Sequence, residues 1–192
     1  MSPPGGTDLP APGDVPAPGG LPAPGGLPAP AIEVVELEPQ HAAVLRSVVA
    51  PADFAEFIAD ALAGVSDTLA RAGIAPAGPP FARYFGSGPD GLDVGVGLPI
   101  ATPYLGRGPI VSSELPAGPA ATATHIGPYD GLDAAWSALK AGIDALGRRR
   151  ADDPWEIYFV GPGSGVEPDE WRTELVWPLV AEESEAPGDP NR

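Results

Sequence analysis

The chain repeats itself, and this internal repeat constrains the fold more than any other feature. Three blocks recur at offsets of 77 (127 − 50), 74 (153 − 79) and 79 (175 − 96) positions. The matched blocks are Ala50–Phe54 (APADF) with Gly127–Gly131 (GPYDG), Pro79–Gly86 (PPFARYFG) with Asp153–Val160 (DPWEIYFV), and Val96–Ile100 (VGLPI) with Leu175–Leu179 (LVWPL). Because this period is too long for a solenoid unit, we predict two copies of one half-domain that face each other. A ligand pocket is usually found at such a seam.

The two ends of the chain differ in composition from its middle. Residues 1–30 hold ten prolines and seven glycines, a composition that cannot bury enough apolar surface to fold and predicts a disordered arm. Residues 181–192 (AEESEAPGDPNR) are acidic and have no apolar run, so they predict a disordered tail. The intervening residues, 31–180, have an ordinary size for one domain with one core.

Charge and composition exclude several classes of protein. The net charge is −16, whereas nucleic-acid binders need basic patches, so we expect no direct nucleic-acid binding. An acidic protein attracts cations instead. The absence of cysteine excludes disulfide scaffolds, and no apolar run is long enough for a membrane span. Because no basic segment followed by an apolar one stands at the start of the sequence, we expect no signal peptide. We therefore expect a cytoplasmic protein, with no metal or cofactor because no ligand spacing or nucleotide loop is present.

Hydrophobic periodicity predicts two helices and a set of short strands. Pro51–Ala72 carries apolar residues spaced by 3, 4 and 7, with Gly73 as its cap, and Asp130–Leu146 carries a second apolar stripe. Each half is then β-α-β-β, which predicts an α+β domain with antiparallel sheets and both helices on one side. The predicted strands are Ile32–Leu37, Phe81–Phe85, Leu92–Leu98, Ile110–Leu115, Ala120–Ile126, Trp155–Val160 and Thr173–Trp177. His41 is expected in a loop.

Glu156 distinguishes the second half from the first, which has Ala82 at the matched position. Alternation along this strand places Glu156 and Tyr158 on one face, and Trp155 and Phe159, as core residues, on the other. A carboxylate in so apolar a strand is costly to bury unless it is paired. Two interpretations stay open, namely a solvent-facing strand residue and a counter-ion for a cation inside an aromatic pocket.

Aromatic side chains are the candidate walls of such a pocket. Trp177 and Tyr158 are amphipathic and lie on adjoining strands near Glu156. Trp136 lies on the inward stripe of the second helix and is either core or pocket wall. Tyr104, in the loop between the halves, is a candidate lid. The predicted ligand-binding residues are Glu156, Tyr158, Trp136, Trp177, Tyr84, Phe54, Tyr104 and Tyr129.

Three motifs of the second half occur together in a known family. They are Thr124–Leu132 (THIGPYDGL), Trp155–Tyr158 (WEIY) and Thr173–Leu179 (TELVWPL). With a weaker match in the first half, the chain resembles the GyrI-like small-molecule-binding family over about Ile32–Leu179. The same domain is the effector-binding domain of AraC-type and MerR-type multidrug-responsive regulators. Because no helix-turn-helix region is evident, the chain resembles a stand-alone version.

The resemblance implies a pseudo-twofold domain with a central cleft for bulky, lipophilic and often cationic molecules. It also implies that the acid of the WEIY strand, Glu156, faces the bound cation. Some family members are proposed to hydrolyse strained electrophiles with the same acid.

We therefore expect a multidrug-binding protein for lipophilic aromatic cations, used in drug sequestration or in sensing linked to transcription regulation. One alternative is a hydrolase of strained electrophilic small molecules, with Glu156 as general acid or base and Tyr158 assisting. A second alternative is an acidic interaction protein that acts on gyrase. The sequence names no protein partner.

Overall fold

The computed structural model describes residues 31–106 and 108–182, within which the chain forms eight strands and two α-helices. The expected arm, and the expected tail apart from its first two residues, lie outside the described residues. The strands are β1 (Ile32–Leu37), β2 (Gln40–Val49), β3 (Phe81–Gly88), β4 (Gly91–Pro99), β5 (Ile110–Leu115), β6 (Gly118–Ile126), β7 (Trp155–Val160) and β8 (Arg172–Pro178). The helices are α1 (Phe54–Ala72) and α2 (Leu132–Ala145), preceded by 3-10 turns at Pro51–Asp53 and Tyr129–Gly131.

The strands join one antiparallel sheet in the order β1-β6-β8-β7-β3-β4-β2-β5. If the strands of the first half are exchanged for those of the second, so that β1 becomes β5 and so on, the same order is read from the opposite end. The sheet therefore has pseudo-twofold symmetry. The predicted duplicated α+β fold is confirmed.

The pseudo-twofold axis passes between Ala82 and Glu156. These residues are Cα partners where β3 pairs with β7, and they are also matched positions of the repeat. The backbone amides of Tyr84 and Tyr158 each donate to the carbonyl of a proline in the opposite half, both at 2.9 Å. The one acid that distinguishes the halves thus lies at the centre of the sheet.

The sheet is curled into a half-barrel. Two residues, Pro116 and Ala117, join β5 to β6, although these strands lie near opposite ends of the sheet order. Across the concave face, Nη1 of Arg83 on β3 donates to the carbonyl oxygen of Glu114 on β5 at 2.9 Å. Side chains of both edge strands therefore meet the central strands in one core. This core includes Val35, Leu37, Phe81, Leu115 and Trp155.

Both helices pack on the opposite, convex face, as predicted. Val65 and Leu69 of α1 cover β2 and β4, and Leu139 and Ile143 of α2 cover β6 and β8. Their spacing of four residues places each pair on one stripe of its helix. Gly73 ends α1 in the left-handed conformation, with φ of 70°, which glycine adopts without steric cost. Neither helix in the described residues is long and apolar enough to cross a membrane.

The first half contains a strand that the sequence does not predict. It is β2, which includes His41, so both halves are β-β-α-β-β rather than β-α-β-β. Ala42, Ala43 and Val44 are buried in succession, because this part of β2 is covered on both faces of the sheet. A strand buried on both faces lacks the alternation by which half-exposed strands are recognised.

Candidate functional site

A cleft of about 1070 Å³ opens between α1 and α2 on the convex face. It lies over the central strands β3 and β7, and hence over the pseudo-twofold axis. The lining residues are Phe54, Ala55, Ile58, Ala59 and Leu62 of α1; Pro80, Tyr84 and Leu92; Tyr129; Leu132, Asp133, Trp136 and Lys140 of α2; and Pro154, Glu156, Tyr158, Phe159, Gly161, Pro162, Gly163, Ser164 and Trp177.

Glu156 lies at the floor of the cleft and is 3% exposed. Its Oε1 accepts a hydrogen bond from Nε1 of Trp136 at 2.8 Å, and its Oε2 accepts one from the hydroxyl of Tyr158 at 2.7 Å. Among the described residues, no nitrogen of a basic side chain lies within 4.0 Å of this carboxylate. The acid is thus held by neutral donors and not by an ion pair.

Tyr84 and Tyr158, which are matched residues of the repeat, flank Glu156 from β3 and β7. Burial raises the pKa of both phenols well above the usual value, and the negative charge of Glu156 raises it further. The pKa of Tyr129 is also raised, by burial first and by Glu156 second. The three phenols therefore stay protonated at neutral pH and can donate hydrogen bonds inside the cleft.

Aromatic rings form a continuous wall from α1 to β8. Phe54 stacks on Tyr84 with ring centroids 6.2 Å apart, and Tyr84 meets Trp136 edge to face at 6.3 Å. Trp136 meets Trp177 edge to face at 5.5 Å. The Trp177 ring is fixed by a hydrogen bond from its Nε1 to the carbonyl oxygen of Ala151 at 2.9 Å. Such a wall offers apolar area to a flat ligand and ring faces that attract cations.

The two helical walls of the cleft use matched positions. Counted from the first residue of each helix, the α1 wall contains Phe54, Ala55, Ile58 and Leu62, and the α2 wall contains Leu132, Asp133, Trp136 and Lys140, each 78 positions later (132 − 54). This structural match differs by one residue from the sequence match of Ala50–Phe54 with Gly127–Gly131. The α1 residues are all apolar. The α2 residues include an acid, an indole and an ammonium group, so the polarity of the helical walls is concentrated on one side.

The cleft brings together seven of the eight predicted ligand-binding residues, and their part in binding remains a prediction. Tyr104 does not reach the cleft, so the prediction that it forms a lid is wrong. It is 6% exposed and packs against Val65 and Leu69 of α1 and against Ile100. Its ring turns inward because burial removes a large apolar area from water. The seven residues at the cleft are Glu156, Tyr158, Trp136, Trp177, Tyr84, Phe54 and Tyr129.

Asp133, Lys140 and Phe159 also line the cleft, although they are not among the predicted ligand-binding residues. Asp133 and Lys140 lie three residues before and four residues after Trp136, so helical spacing alone places them on its face. Phe159 is 42% exposed and not in the core. A register shift after Tyr158 interrupts the alternation of β7, and no sequence signal marks this bulge.

The fold and the cleft define a class of protein. Within residues 31–106 and 108–182, no three His, Cys, Asp or Glu side chains gather into a group that could hold a metal ion. A concave, largely apolar site with a few convergent polar groups is typical of small-molecule binding. The chain matches the GyrI-like small molecule binding domain over residues 30–180 and belongs to that family.

Solved structures share this fold. The EcmrR chain of an EcmrR–DNA complex matches with a TM-score of 0.71 and 23% identity, covering 79% of this chain and 57% of that chain. The isolated C-terminal domain of EcmrR matches with a TM-score of 0.70 and 22% identity, covering 79% of this chain and 98% of that chain. The chain thus spans little more than half of the EcmrR chain in the DNA complex.

Two further structures are more distant. SAV2435 bound to tetraphenylphosphonium matches with a TM-score of 0.55 and 9% identity, covering 78% of this chain and 94% of that chain. A hydrolase encoded by lin2189 from Listeria innocua matches with a TM-score of 0.57 and 12% identity, covering 79% of this chain and 94% of that chain. No curated protein sequence matches the chain. At these identities the structural likeness shows the fold alone.

Proposed function

We propose that this domain binds lipophilic aromatic cations in the cleft, with the carboxylate of Glu156 as the counter-charge. The observation that carries the proposal is a carboxylate at 3% exposure whose described partners are neutral donors. A cationic ligand supplies the positive charge, and aromatic walls exclude the water that would screen it. Tetraphenylphosphonium, bound by SAV2435, is a lipophilic cation of this chemistry.

The walls account for the affinity of such a ligand and the carboxylate for its selectivity. Each 100 Å² of apolar surface removed from water contributes about 2.5 kcal/mol, at ~25 cal/mol per Å². A cation over an indole or phenol face adds about 0.5–2 kcal/mol. Neither contribution requires one ligand outline, so we infer that the cleft accepts cations of different shapes, as a multidrug-binding site does.

The test compares N-methylacridinium with acridine, which differ by one methyl group and one charge at mildly alkaline pH. Glu156→Gln keeps the shape of the side chain and removes its charge. We expect this substitution to lower the affinity for N-methylacridinium by about 10- to 100-fold, the scale of a charge-assisted contact, and to change the affinity for acridine little. Fluorescence titration measures both affinities. Equal losses for the two ligands, or no loss for either, contradict the role of Glu156.

Glu114→Gln is the matched control for this experiment. Glu114 is an exposed carboxylate on β5, beside His41 and away from the cleft. Its removal changes the net charge of the chain by the same amount. If Glu114→Gln weakens N-methylacridinium as much as Glu156→Gln does, the effect belongs to the overall acidity of the protein.

A hydrolase of strained electrophilic small molecules is the second candidate function. One observation favours it, because the hydroxyl of Tyr158 lies 2.7 Å from the carboxylate of Glu156, and both groups line the cleft. Glu156 would act as general acid or base on a bound electrophile, with Tyr158 assisting. Chromatography of an epoxide incubated with the protein tests this. Product beyond one equivalent, abolished by Glu156→Gln, identifies an enzyme, and its absence favours a binding protein.

For the cell, we propose sequestration or sensing of lipophilic cations in the cytoplasm. EcmrR carries the same fold in a protein that is found bound to DNA. Expression of this chain in a bacterial host should raise the concentration of tetraphenylphosphonium that inhibits growth, and Glu156→Gln should remove the increase. Unchanged growth inhibition on expression contradicts sequestration.

A further inference from the structure

Lys140 is the only lysine among the ten basic residues of the chain. It lies on the α2 wall of the cleft, at the position matched by Leu62 on the α1 wall. Its Nζ is 5.5 Å from the centroid of the Trp177 ring. The second half thus presents an ammonium group to the cleft where the first half has an apolar side chain.

The ammonium of Lys140 has no carboxylate within 4.0 Å among the described residues. Arg150, a second cation near the Trp177 ring, does have one, since it pairs with Asp144 at 3.5 Å. A lone ammonium beside a cleft for cations disfavours a ligand that carries only positive charge, because like charges repel. The same ammonium is favourable if the ligand also carries a negative group.

We propose that the cleft selects aromatic cations that also carry a carboxylate, with the cationic centre near Glu156 and the carboxylate at Lys140. This inference rests on the proposed function and adds the ligand class to it. A carboxylate at Lys140 replaces repulsion by attraction, and the negative charge of Glu156 keeps that carboxylate away from the floor of the cleft. The ligand class is thus one with its two charges at opposite ends of a ring system.

A series of aromatic contacts links the two charged side chains. Trp136 donates to Glu156, Trp177 packs edge to face on Trp136, and Lys140 lies over Trp177. Two indole rings therefore separate the acid from the ammonium along the wall. A flat polycyclic cation that spans these indoles places an acid substituent at Lys140. Its unsubstituted edge then faces the apolar α1 wall, which gives the ligand one orientation.

10-Methylacridinium-9-carboxylate and its ethyl ester test the proposal, because they share one flat cationic ring system in which the charged nitrogen lies opposite the acid substituent. Lys140→Met removes the ammonium and keeps a long side chain. We expect this substitution to lower the affinity for the free acid by roughly fivefold, the scale of an ion pair near the surface, and to raise the affinity for the ester. Lys140→Arg should restore the preference for the acid. Arg71→Met removes an exposed charge of α1, outside the cleft lining, and controls for net charge.

The single lysine offers a second readout. Reductive methylation with isotope-labelled formaldehyde keeps the charge of Lys140 and gives its amine a separate NMR signal. The free acid should move this signal more than the ester does, because only the free acid places a negative charge beside the amine. A purely structural lysine would show the same change in signal position with either dye.

The outcomes separate the two proposals. If both dyes bind and the Lys140 variants leave the ratio of their affinities unchanged, the carboxylate preference is wrong while cation binding stands. If Lys140→Met tightens both dyes equally, Lys140 only repels cations and the preference is again wrong. If neither dye binds, both proposals are wrong.

Discussion

The two helical walls of the cleft occupy matched places in the fold and differ in chemistry. Strand order and central backbone hydrogen bonds repeat between the halves, so the difference lies in the side chains. The apolar residues Ala55, Ile58 and Leu62 of α1 are matched by Asp133, Trp136 and Lys140 of α2. Duplication thus supplies the shape of the cleft, and divergence on one side of the axis supplies its polarity. Because the axis passes through the cleft, the two halves share one asymmetric site.

The largest loss of stability is expected when a glutamate is introduced into the first half at the position that matches Glu156. Ala82 is fully buried and lies opposite Glu156 on the axis. Ile58 stands where the second half has Trp136, so no indole is available as a donor. We expect Ala82→Glu to lower the free energy of unfolding by at least about 3 kcal/mol, through overpacking and an unpaired buried charge. Urea unfolding measures this loss.

Ala82→Gln is the control, because it adds nearly the same volume without the charge. Overpacking alone should cost about 1–3 kcal/mol. The difference between the two variants reports the charge. If Ala82→Gln lowers the free energy of unfolding as much as Ala82→Glu does, the added volume causes the loss and the buried charge contributes nothing.

The second effect concerns the donor that only the second half has. Trp136→Phe keeps an aromatic ring and removes the hydrogen bond to Glu156, so we expect a loss of about 1.5–3 kcal/mol in the free energy of unfolding. The matched variant Ile58→Val removes one methyl group and should cost about 0.5 kcal/mol. Thermal or urea unfolding compares them. Equal losses would mean that the hydrogen bond adds nothing to the ring packing.

The matched tyrosines Tyr84 and Tyr158 are expected to contribute differently to stability, by a smaller amount. Tyr158 is buried and donates to Glu156, so Tyr158→Phe should cost about 1–2 kcal/mol in the free energy of unfolding. Tyr84 is more exposed, and Tyr84→Phe should cost less. Urea unfolding of the two variants orders them, and the reverse order contradicts the assigned hydrogen bond.

These tyrosines also predict a pH dependence. Their pKa values are raised in the folded state, so the unfolded chain ionises first, near the ordinary tyrosine value of about 10. Their contribution to stability is complete below about pH 10 and is lost as the pH rises above it. The double variant Tyr84→Phe/Tyr158→Phe should flatten this decline. A decline as steep as that of the original chain would assign it to other groups.

The smallest change in stability is expected when a lysine is introduced on the α1 wall at the position that matches Lys140. Leu62 is partly exposed, so Leu62→Lys should change the free energy of unfolding by less than about 1 kcal/mol. The added ammonium should weaken N-methylacridinium by roughly threefold to fivefold, the scale of one surface charge pair. Fluorescence titration measures this change. Tighter binding of the cation would contradict the assignment of Leu62 to the cleft wall.

Much of the fold can be predicted from local pattern and from the repeat. The predicted strand Trp155–Val160 has the same first and last residues as β7. The predicted helix Pro51–Ala72 corresponds to a 3-10 turn followed by α1. β2 could not be predicted, because a strand covered on both faces gives no alternation. The strand order could not be predicted either, because β1 pairs with a strand 91 positions away (123 − 32).

The candidate site could be predicted in part. Glu156 is identifiable because an acid interrupts an apolar strand whose repeat partner, Ala82, is apolar. Its hydrogen bond from Trp136 could not be predicted, because it joins α2 to the centre of the sheet. The position of Tyr104 could not be predicted, because an aromatic residue in a loop can pack into the core or over a pocket, and the packing of the loop decides between the two.

The exchange of first strands between the halves has a consequence for how such a chain could arise. β1 pairs with β6 of the other half, and β5 pairs with β2, so neither half completes its own hydrogen-bond ladder. A lone half could complete its ladder by exchanging strands with a second copy, as a homodimer with a true twofold axis. In a dimer of second halves, Glu156 would meet its own copy across that axis, and two adjacent buried carboxylates repel. Joining the halves in one chain lets Ala82 stand opposite Glu156, so the acid can occupy the axis alone.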